Sequence, residues 1–385
     1  MEPPGGPQQY NLRSFVFLGK AATRARHDHL PLQLLQLLLF LAQKSFRVVM
    51  VVPTFHSNPE PSRNRVFFTS ISVTKSLTKE SITMLNAKLA LATNPNHQTI
   101  VRLSEQVVFG GSELVIIGGP CTVESHAQME TVATKLKAAP VQALRGGAFK
   151  PRTSPYSFQG LGLAGLEILS DIRRRHQIPV VTEVMSIGQI ESIATHADLL
   201  QVGSRNMQNF DLLKALGKQD LPILLKRGLA ATVEEFVMAA EYILSHGNSQ
   251  VVLCERGIRS FDNYTRNILD LGAVVALKQL THLPVIVDPS HAVGKRELVA
   301  PLAKAAVAAG ADGLIIECHP EPEKSVSDAR QALSIEAMVD LVHSLKPVAA
   351  AVGRQIAEPV TLPELAIDLG QKATLRERSR YANAS

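Results

Sequence analysis

The sequence predicts an α/β protein, a (β/α)8 TIM barrel with a short N-terminal β-hairpin and a poorly structured N-terminal extension. Apolar runs of three to five residues alternate with helical stretches of ten to sixteen residues. Eight such runs occur within about 230 residues, which matches this barrel in strand count and length. Each run is followed by polar or reactive residues, and barrel enzymes place their active sites at these strand ends.

The eight apolar runs are rich in Val, Ile and Leu, as expected of parallel strands that are buried on both faces. An open, doubly wound sheet is the alternative architecture for the same alternation. The predicted strands are Leu114–Ile117, Val141–Leu144, Val180–Thr182, Leu199–Val202, Ile223–Leu225, Val251–Leu253, Val285–Val287 and Leu314–Ile316.

Helices are predicted between the strands, and Thr232–His246 shows the signals best. Thr232 is placed to be the N-cap, Glu235 three residues later completes a capping box, and Gly247 ends the helix. Two further segments have the same character: Leu163–His176 and Ser334–Leu345.

The predicted organisation is an extension at residues 1–83, a hairpin segment at 84–112, the catalytic barrel at 113–348 and a tail at 349–385. Thr99–Leu103 and Gln106–Phe109 are the two β-like runs of the hairpin segment. After Lys346 the pattern weakens, and we expect a short helix followed by a frayed end.

Residues 1–83 contain ten Lys and Arg against four Asp and Glu, whereas residues 84–385 contain thirty of each. This basic, acid-poor extension is expected to be disordered, a transit-like peptide or sequence upstream of the true start, for which Met84 is the favoured position. Within it, Leu30–Ala42 is too short to span a membrane and predicts a buried or partner-facing amphipathic helix.

The neutral balance of residues 84–385 excludes a basic nucleic-acid surface on the barrel, and the absence of Trp weakens any base-stacking function. The three cysteines, Cys121, Cys254 and Cys318, are odd in number and widely spaced, so no disulfide framework is implied. A reducing, cytoplasmic location is therefore expected, although plastid-type targeting by residues 1–83 stays open. Cys254 and Cys318 are expected to be structural.

One set of side chains at the predicted strand ends is cationic. Six cations around one mouth would repel each other unless anions fill it, and Arg forks match phosphate and carboxylate oxygens. The expected ligands therefore carry two phosphates and a carboxylate. The six cations are Arg145, Lys150, Arg152, Arg205, Lys226 and Arg256.

A second set of side chains has the chemistry of metal ligands: Cys121, His291, Glu317 and Asp328. A thiolate, an imidazole and two carboxylates suit a divalent Mn, Fe, Co or Zn ion. Taken alone, Cys121 is equally a small core residue, and His291 or Asp328 equally a helix cap. Glu317 is harder to explain otherwise, because an unpaired buried carboxylate is costly.

Seven motifs occur in an order that resembles type I 3-deoxy-D-arabino-heptulosonate 7-phosphate (DAHP) synthases of the β subgroup. The resemblance covers roughly residues 85–352 and implies condensation of phosphoenolpyruvate with D-erythrose 4-phosphate and water, the first step of the shikimate pathway. It also implies a homodimer or homotetramer. The motifs are GPCTVES, RGGAFKPRTSP, QVGSRNMQN, LLKRG, CERG, VDPSH and IIECHP.

The resemblance assigns roles to individual residues. It implies that the metal ligands are Cys121, His291, Glu317 and Asp328. It implies that phosphoenolpyruvate is bound by Arg145, Lys150, Glu183, Arg205, Lys226 and Arg256, and erythrose 4-phosphate by Lys150, Arg152 and Thr153. Catalysis would then depend on Lys150, His291 and Cys121, with the metal acting as a Lewis acid on the sugar aldehyde.

Three other functions are weighed against this one. A 3-deoxy-D-manno-octulosonate 8-phosphate synthase, which uses arabinose 5-phosphate, typically has Ala-Asn-Arg-Ser-Ser after the equivalent lysine, whereas Pro151-Arg152-Thr153-Ser154 follows Lys150 here. A metal-free aldolase would form a Schiff base at Lys226. A catalytically silent binding protein is disfavoured because every motif residue is present. Residues 1–83 resemble neither a ferredoxin-like regulatory domain nor a chorismate mutase.

Overall fold

The computed structural model describes residues 48–54, 67–73, 86–94 and 97–356. Two units are distinguished along the chain, Met1–Leu85 and Asn86–Ser385. In the first unit, strand β1 (Val48–Thr54) pairs antiparallel with β2 (Phe67–Val73). The segment expected to be poorly structured thus contains one strand pair, which its irregular sequence pattern did not reveal.

Several predictions for the extension fall outside the described residues. The apolar segment Leu30–Ala42 is among them, as is the proposed start at Met84. Within the described residues, none of the helices combines the length and the apolar character that crossing a membrane requires.

The second unit contains a closed barrel of eight parallel strands, as the sequence predicts. Neighbouring strands pair in chain order, and β12 pairs with β5 to close the ring, so the open-sheet alternative is wrong. The barrel strands are β5 (Glu113–Gly119), β6 (Ala143–Arg145), β7 (Val180–Val184), β8 (Leu199–Val202), β9 (Ile223–Lys226), β10 (Val251–Glu255), β11 (Val285–Val287) and β12 (Gly313–His319).

Several barrel strands continue beyond the apolar runs that predicted them. Strand β7 includes Glu183, β9 includes Lys226, and β12 includes Glu317 and His319. A charged residue interrupts an apolar run in the sequence, but its backbone can still pair with the neighbouring strand. The barrel ladder therefore fixes the backbone of several predicted site residues.

Helices cover the outside of the barrel. The predicted segment Leu163–His176 forms a helix with those bounds. Thr232 and Glu235 form the expected capping box, although that helix ends at Leu244. The helices are α1 (His126–Lys137), α2 (Leu163–His176), α3 (Ile190–His196), α4 (Phe210–Leu216), α5 (Val233–Leu244), α6 (Leu271–Leu280), α7 (Pro289–Val293), α8 (Arg296–Ala308) and α9 (Ile335–Ala351).

The last helix of the chain that the structure describes differs from the expectation of a separate short helix after Lys346. Helix α9 continues without a break to Ala351 and contains Pro347. Leu345 and Ala349, four residues apart, are both buried, so the packed face of the helix extends past the proline. The short strand β13 (Leu333–Ser334) pairs with the end of β12, and β14 (Gln355–Ile356) pairs with the first two residues of β5.

The predicted hairpin forms from β3 (Val101–Arg102) and β4 (Val108–Phe109) and lies at the amino-terminal end of the barrel. Val101, Val107 and Phe109 are almost completely buried. They belong to one core cluster with residues from all eight barrel strands: Val115, Ile117, Ala143, Val181, Leu199, Leu224, Val252, Cys254, Ile286 and Ile315. Burial raises the pKa of the Cys254 thiol, in agreement with a structural role.

Replacing the hairpin phenylalanine tests whether this core depends on it. We expect Phe109→Ala to lower the free energy of unfolding by about 3–5 kcal/mol, because a fully buried ring is removed. Phe261→Ala is the matched control, since that ring is fully exposed, and it should change stability by about 0.5 kcal/mol or less. Urea denaturation of both variants measures the difference. Equal stabilities would contradict the role of the hairpin in the core.

Candidate active site

A cavity of about 330 Å³ lies at the carboxyl-terminal ends of the barrel strands. All six predicted cations line it, together with Arg259 and Arg266 from the loop after β10, which the sequence reasoning missed. These eight cationic side chains face only two carboxylates in the cavity wall, those of Glu183 and Asp328. Such an excess of positive charge in a concave site favours anionic ligands.

Thr153 lies outside this cavity. It is exposed and lines a neighbouring outer cavity of about 380 Å³. Arg152, Arg205 and Arg266 line both cavities, so the outer one continues the cationic surface of the inner one. The structure thus separates Thr153 from the deeper residues with which it was grouped.

Lys150 connects the cationic cavity to the predicted metal ligands. Its Nζ donates to the carbonyl oxygen of Cys121 at 3.0 Å and lies 2.8 Å from Cys121 Sγ. A Cβ atom at Gly147 would lie 2.9 Å from Lys150 Cδ and 2.7 Å from the Cys121 carbonyl oxygen. A side chain at position 147 would therefore displace the lysine, which explains the glycine in RGGAFK.

The four predicted metal ligands meet below the cavity. One donor atom from each of Cys121, His291, Glu317 and Asp328 lies within 4.8 Å of all the others. Cys121 Sγ is 3.1 Å from Asp328 Oδ2, and His291 Nε2 is 2.9 Å from Glu317 Oε1. Asp328 lies in a turn with a φ of 55°, so it is not the cap of a helix. Four donors at this separation can surround a single ion.

The ring of His291 is oriented so that one nitrogen faces Asp288 and the other faces Glu317. Its Nδ1 is 2.7 Å from Asp288 Oδ2 and donates to that carboxylate, which leaves the lone pair of Nε2 facing Glu317 Oε1. Glu317 Oε1 is buried and has no hydrogen bond of acceptable geometry, while Oε2 accepts from Gln331 Nε2 at 2.6 Å. Two opposed acceptors require a proton or a cation between them, and a carboxylate-oriented histidine is typical of metal sites.

Opposite charges hold these groups in defined ionisation states. Burial opposes the charge on Glu317, but His291 and Arg145 outweigh burial and hold the pKa of that carboxyl well below its usual value. Burial also opposes charge on His291, whereas Asp288 and Glu317 raise the pKa of its imidazole to about 10. At neutral pH a metal ion would therefore compete with a proton for the imidazole, because only the neutral ring can bind it.

Asp288 is a site residue to which the sequence reasoning gave no role. Its fully buried carboxylate forms an ion pair with Lys226, contacts His291 Nδ1 and accepts from His291 N at 2.9 Å. Burial would raise its pKa, but His291 and Lys226 hold the pKa well below the usual value. The spacing of three residues in DPSH, which suits both an N-cap and a histidine partner, is the signal that could have identified it.

Lys226 and Arg227, although adjacent, face different surroundings. Lys226 lines the cavity, whereas Arg227 pairs with Glu255 at 2.8 Å and with Asp270 at 3.1 Å. Successive side chains of a strand point to opposite faces, so the second cation is kept out of the cavity. The absence of Arg227 from the predicted set agrees with its position in the structure.

Glu183 is placed by two neighbours on the next strand and its loop. Gln201 Nε2 donates to Glu183 Oε2 at 3.3 Å. A Cβ atom at Gly203 would lie only 2.0 Å from Glu183 Oε1, so any side chain there would push the carboxylate away. The glycine in QVGSRN is therefore required for the observed position of Glu183.

The model of the DAHP synthetase I family matches residues 98–352. The chain belongs to the DAHP synthetase I family. Membership confirms the resemblance predicted from the seven motifs and the predicted enzyme class, a DAHP synthase.

Individual relatives agree with this membership. A phospho-2-dehydro-3-deoxyheptonate aldolase from Thermotoga maritima is 48% identical over 258 residues, covering 67% of this chain and 76% of the relative. The crystal structure of the Thermotoga maritima DAHP synthase matches with a TM-score of 0.68 and 39% identity, over 83% of this chain and 95% of that one. A 2-dehydro-3-deoxyphosphooctonate aldolase from Desulfotalea psychrophila is 32% identical over 267 residues, covering 65% and 94% of the two chains.

The close approach of Gly203 to Glu183 yields a test of the site. We expect Gly203→Ala to lower kcat for DAHP formation by about tenfold to a hundredfold, because a displaced group in an active site is costly even at 1 Å. Gly188→Ala is the control, since a Cβ there meets no atom within 4 Å. Steady-state kinetics with thermal unfolding as a folding check measures the effect. An unchanged kcat in Gly203→Ala would show that the position of Glu183 is unimportant.

Proposed function

We propose that this barrel condenses phosphoenolpyruvate with D-erythrose 4-phosphate and water to give DAHP and phosphate, in a reaction that depends on a divalent metal ion. The proposal is carried by one observation: a four-donor metal site lies directly beneath a cavity with eight cationic side chains. Both substrates are phosphates, and one also has a carboxylate, so the charges of site and substrates are complementary.

Arg145 is one of the most buried of the proposed substrate-binding cations. It is buried, and its Nε and Nη1 have no hydrogen bond of acceptable geometry, although Nη1 lies 3.3 Å from Glu317 Oε1. Burial alone would lower its pKa, but Glu317 and Cys121 raise it, so the guanidinium remains charged. Buried donors without acceptors are costly, and an anionic substrate would supply the acceptors.

Lys150 is proposed to hold the two substrates together. Its ammonium lies at the boundary between the cavity and the metal donors, and burial is outweighed by Cys121, which raises its pKa. A divalent ion in the site would polarise the aldehyde oxygen of the sugar phosphate. C3 of phosphoenolpyruvate would form a bond to the aldehyde carbon, and the aldehyde oxygen would take up a proton to become a hydroxyl. Water would add at C2 with loss of a proton, and the C2–O bond to phosphate would then break, which leaves a ketone at C2 and free phosphate. The cations lower the entropic part of the barrier by holding both substrates in line.

The donor set supports Mn, Fe, Co or Zn as the ion and does not select among them. A thiolate favours the softer ions, whereas the two carboxylates favour the harder ones. We propose that Cys121, His291, Glu317 and Asp328 are the ligands, with Asp288 fixing the tautomer of His291.

The metal-free aldolase is disfavoured by the surroundings of Lys226. A Schiff base forms from a neutral amine, and such lysines are activated by an apolar pocket or a neighbouring cation. The Nζ of Lys226 is instead engaged in an ion pair with the buried carboxylate of Asp288. We therefore assign Lys226 to substrate binding.

The oligomeric state and the cellular location are proposed from the sequence. We propose a homodimer or homotetramer in the cytoplasm, with residues 1–83 as an extension that precedes the hairpin segment 84–112, the barrel 113–348 and the tail 349–385. The described residues do not include most of the extension, so plastid-type targeting stays the alternative for it. Nucleic acid and membrane are not proposed as partners.

Removal of metal ligands tests the metal-dependent reaction. We expect Cys121→Ala and His291→Ala each to abolish phosphate release from the two substrates, because each removes one of four donors. Cys254→Ala, which removes a buried thiol outside the donor set, should retain activity. Chelator should inactivate the unchanged enzyme, and borohydride with substrate should not trap a covalent adduct. Near-normal turnover in both ligand variants, with the fold intact by circular dichroism, would refute the metal assignment.

The choice of sugar is tested separately. We expect kcat/KM for erythrose 4-phosphate to exceed that for arabinose 5-phosphate, because Pro151, Arg152 and Thr153 follow Lys150. Phosphate release with each aldose at fixed phosphoenolpyruvate measures the preference. A preference for arabinose 5-phosphate would reassign the sugar and leave the metal site unaffected.

A further inference from the structure

We propose that Glu124 is a positioning residue, which clamps the loop carrying Asp328 so that this carboxylate reaches the metal. The inference rests on the proposed metal-dependent function, since it concerns the placement of one of the four ligands. Glu124 follows Cys121 by three residues, so the clamp would join the two loops that carry the thiolate and the second carboxylate of the site.

The clamp consists of one direct backbone hydrogen bond from the loop to a carboxylate oxygen, with a serine hydroxyl beside it. Val326 N donates to Glu124 Oε1 at 3.1 Å, and Ser325 Oγ lies 3.3 Å from the same oxygen. Val326 precedes Asp328 by only two residues. Displacement of the Val326 peptide would therefore move the backbone from which the Asp328 side chain starts.

A second contact joins the same two loops. Thr122 Oγ1 lies 2.7 Å from Ser327 Oγ, and both residues are buried. Ser325 Oγ donates to Ser327 O at 2.7 Å, so the residues on either side of Val326 are also held together. The hydroxyl groups fix the spacing of the loops, and Glu124 supplies the charged acceptor at their edge.

The other oxygen of Glu124 faces the end of a barrel strand. Glu321 N donates to His319 Nδ1 at 3.0 Å, so Nε2 carries the ring hydrogen. His319 Nε2 lies 3.3 Å from Glu124 Oε2. This contact is not a hydrogen bond of acceptable geometry, so Glu124 lies between the last residue of β12 and Val326 but is hydrogen-bonded only to the latter of the two.

The Asp328 backbone needs such support. Its φ of 55° is in the left-handed region, which an aspartate adopts less readily than a glycine. Its carboxylate contacts Cys121 Sγ and Arg266 Nη1, each at 3.1 Å. These contacts hold the carboxylate of Asp328, while the clamp holds the backbone from which its side chain starts.

The clamp also touches the proposed sugar-phosphate site. Arg152 Nη2 donates to Val326 O at 3.4 Å, so Glu124 and Arg152 hold opposite sides of the residue. Without Glu124, Arg152 would be the remaining hydrogen-bond partner of Val326 among the described residues, and Arg152 is itself expected to bind the sugar phosphate. Removing partners that orient metal ligands weakens metal binding by about tenfold to a hundredfold.

Cobalt titration of the full-length, metal-depleted protein tests the clamp. With Co²⁺ alone as the probe, the visible absorption reports ligand geometry and the thiolate-to-cobalt band reports Cys121. We expect Glu124→Ala to raise the Co²⁺ dissociation constant by about tenfold or more. Glu124→Gln should recover part of the affinity lost in Glu124→Ala, because its amide oxygen still accepts from Val326 N although its NH2 group then faces His319 Nε2. Ser325→Ala, in a half-buried loop, should weaken binding to an intermediate degree and serves if Glu124→Ala folds poorly.

Two controls separate the possible outcomes. Glu130→Ala removes another glutamate–histidine contact, with His176 at 3.0 Å on helices α1 and α2, and should leave Co²⁺ binding unchanged. Cys121→Ala should lose the thiolate band, and if it does not, the proposed metal site itself fails. If Cys121→Ala loses the band while Glu124→Ala binds normally, only the clamp is overturned. Equal weakening by Glu124→Ala and Glu124→Gln also overturns it, because charge rather than hydrogen bonding would then be responsible.

Discussion

The position of His291 between two buried carboxylates is the interaction on which the rest of the site depends. Asp288 takes the Nδ1 hydrogen, and this turns Nε2 towards Glu317. Neither carboxylate could remain ionised there without a cation, so Lys226 pairs with Asp288 and Arg145 faces Glu317. Closure of the barrel between β12 and β5 then brings the loop of Cys121 beside Glu317. The site therefore depends both on the paired charges around His291 and on the strand order that closes the barrel.

The cations of the cavity divide according to the groups that balance them. The deeply buried cations, Lys226 and Arg145, are each matched by a buried acid. They therefore add little net charge to the cavity and mainly hold neighbouring groups in position. Arg256 is different: burial lowers its pKa, and the attraction of Asp288 does not fully compensate. Its Nη2 donates only to a neutral carbonyl, that of His291, at 3.1 Å. An anion bound near Arg256 would restore the missing stabilisation, which accounts for a basic cavity in a barrel whose overall charge is balanced.

The sequence predicts all eight strands and three of the four proposed metal donors because each is marked by a sharp change from apolar to reactive residues, whereas Asp328 lies past β12 and has no such mark. Other features have no such mark. Arg266 comes from the long loop after β10, far from any strand end, and Thr153 faces an outer cavity although it follows Lys150 closely. Glu124 acts on the loop of Asp328, and that relation appears only when the loops are brought together in space, whereas Asp288 has a local signal in the spacing of DPSH. Pro347 also suggests a helix end that the packing of α9 overrides.

Strand β14 has a topological consequence. Because Gln355 and Ile356 pair with the first residues of β5, the chain enters and leaves the barrel at neighbouring points of its amino-terminal face. The cavity opens on the opposite face. Segments joined at either point start away from the mouth of the cavity. Because the two points are neighbours, the barrel is suited to a circular permutant in which they are joined and new termini are opened in another loop.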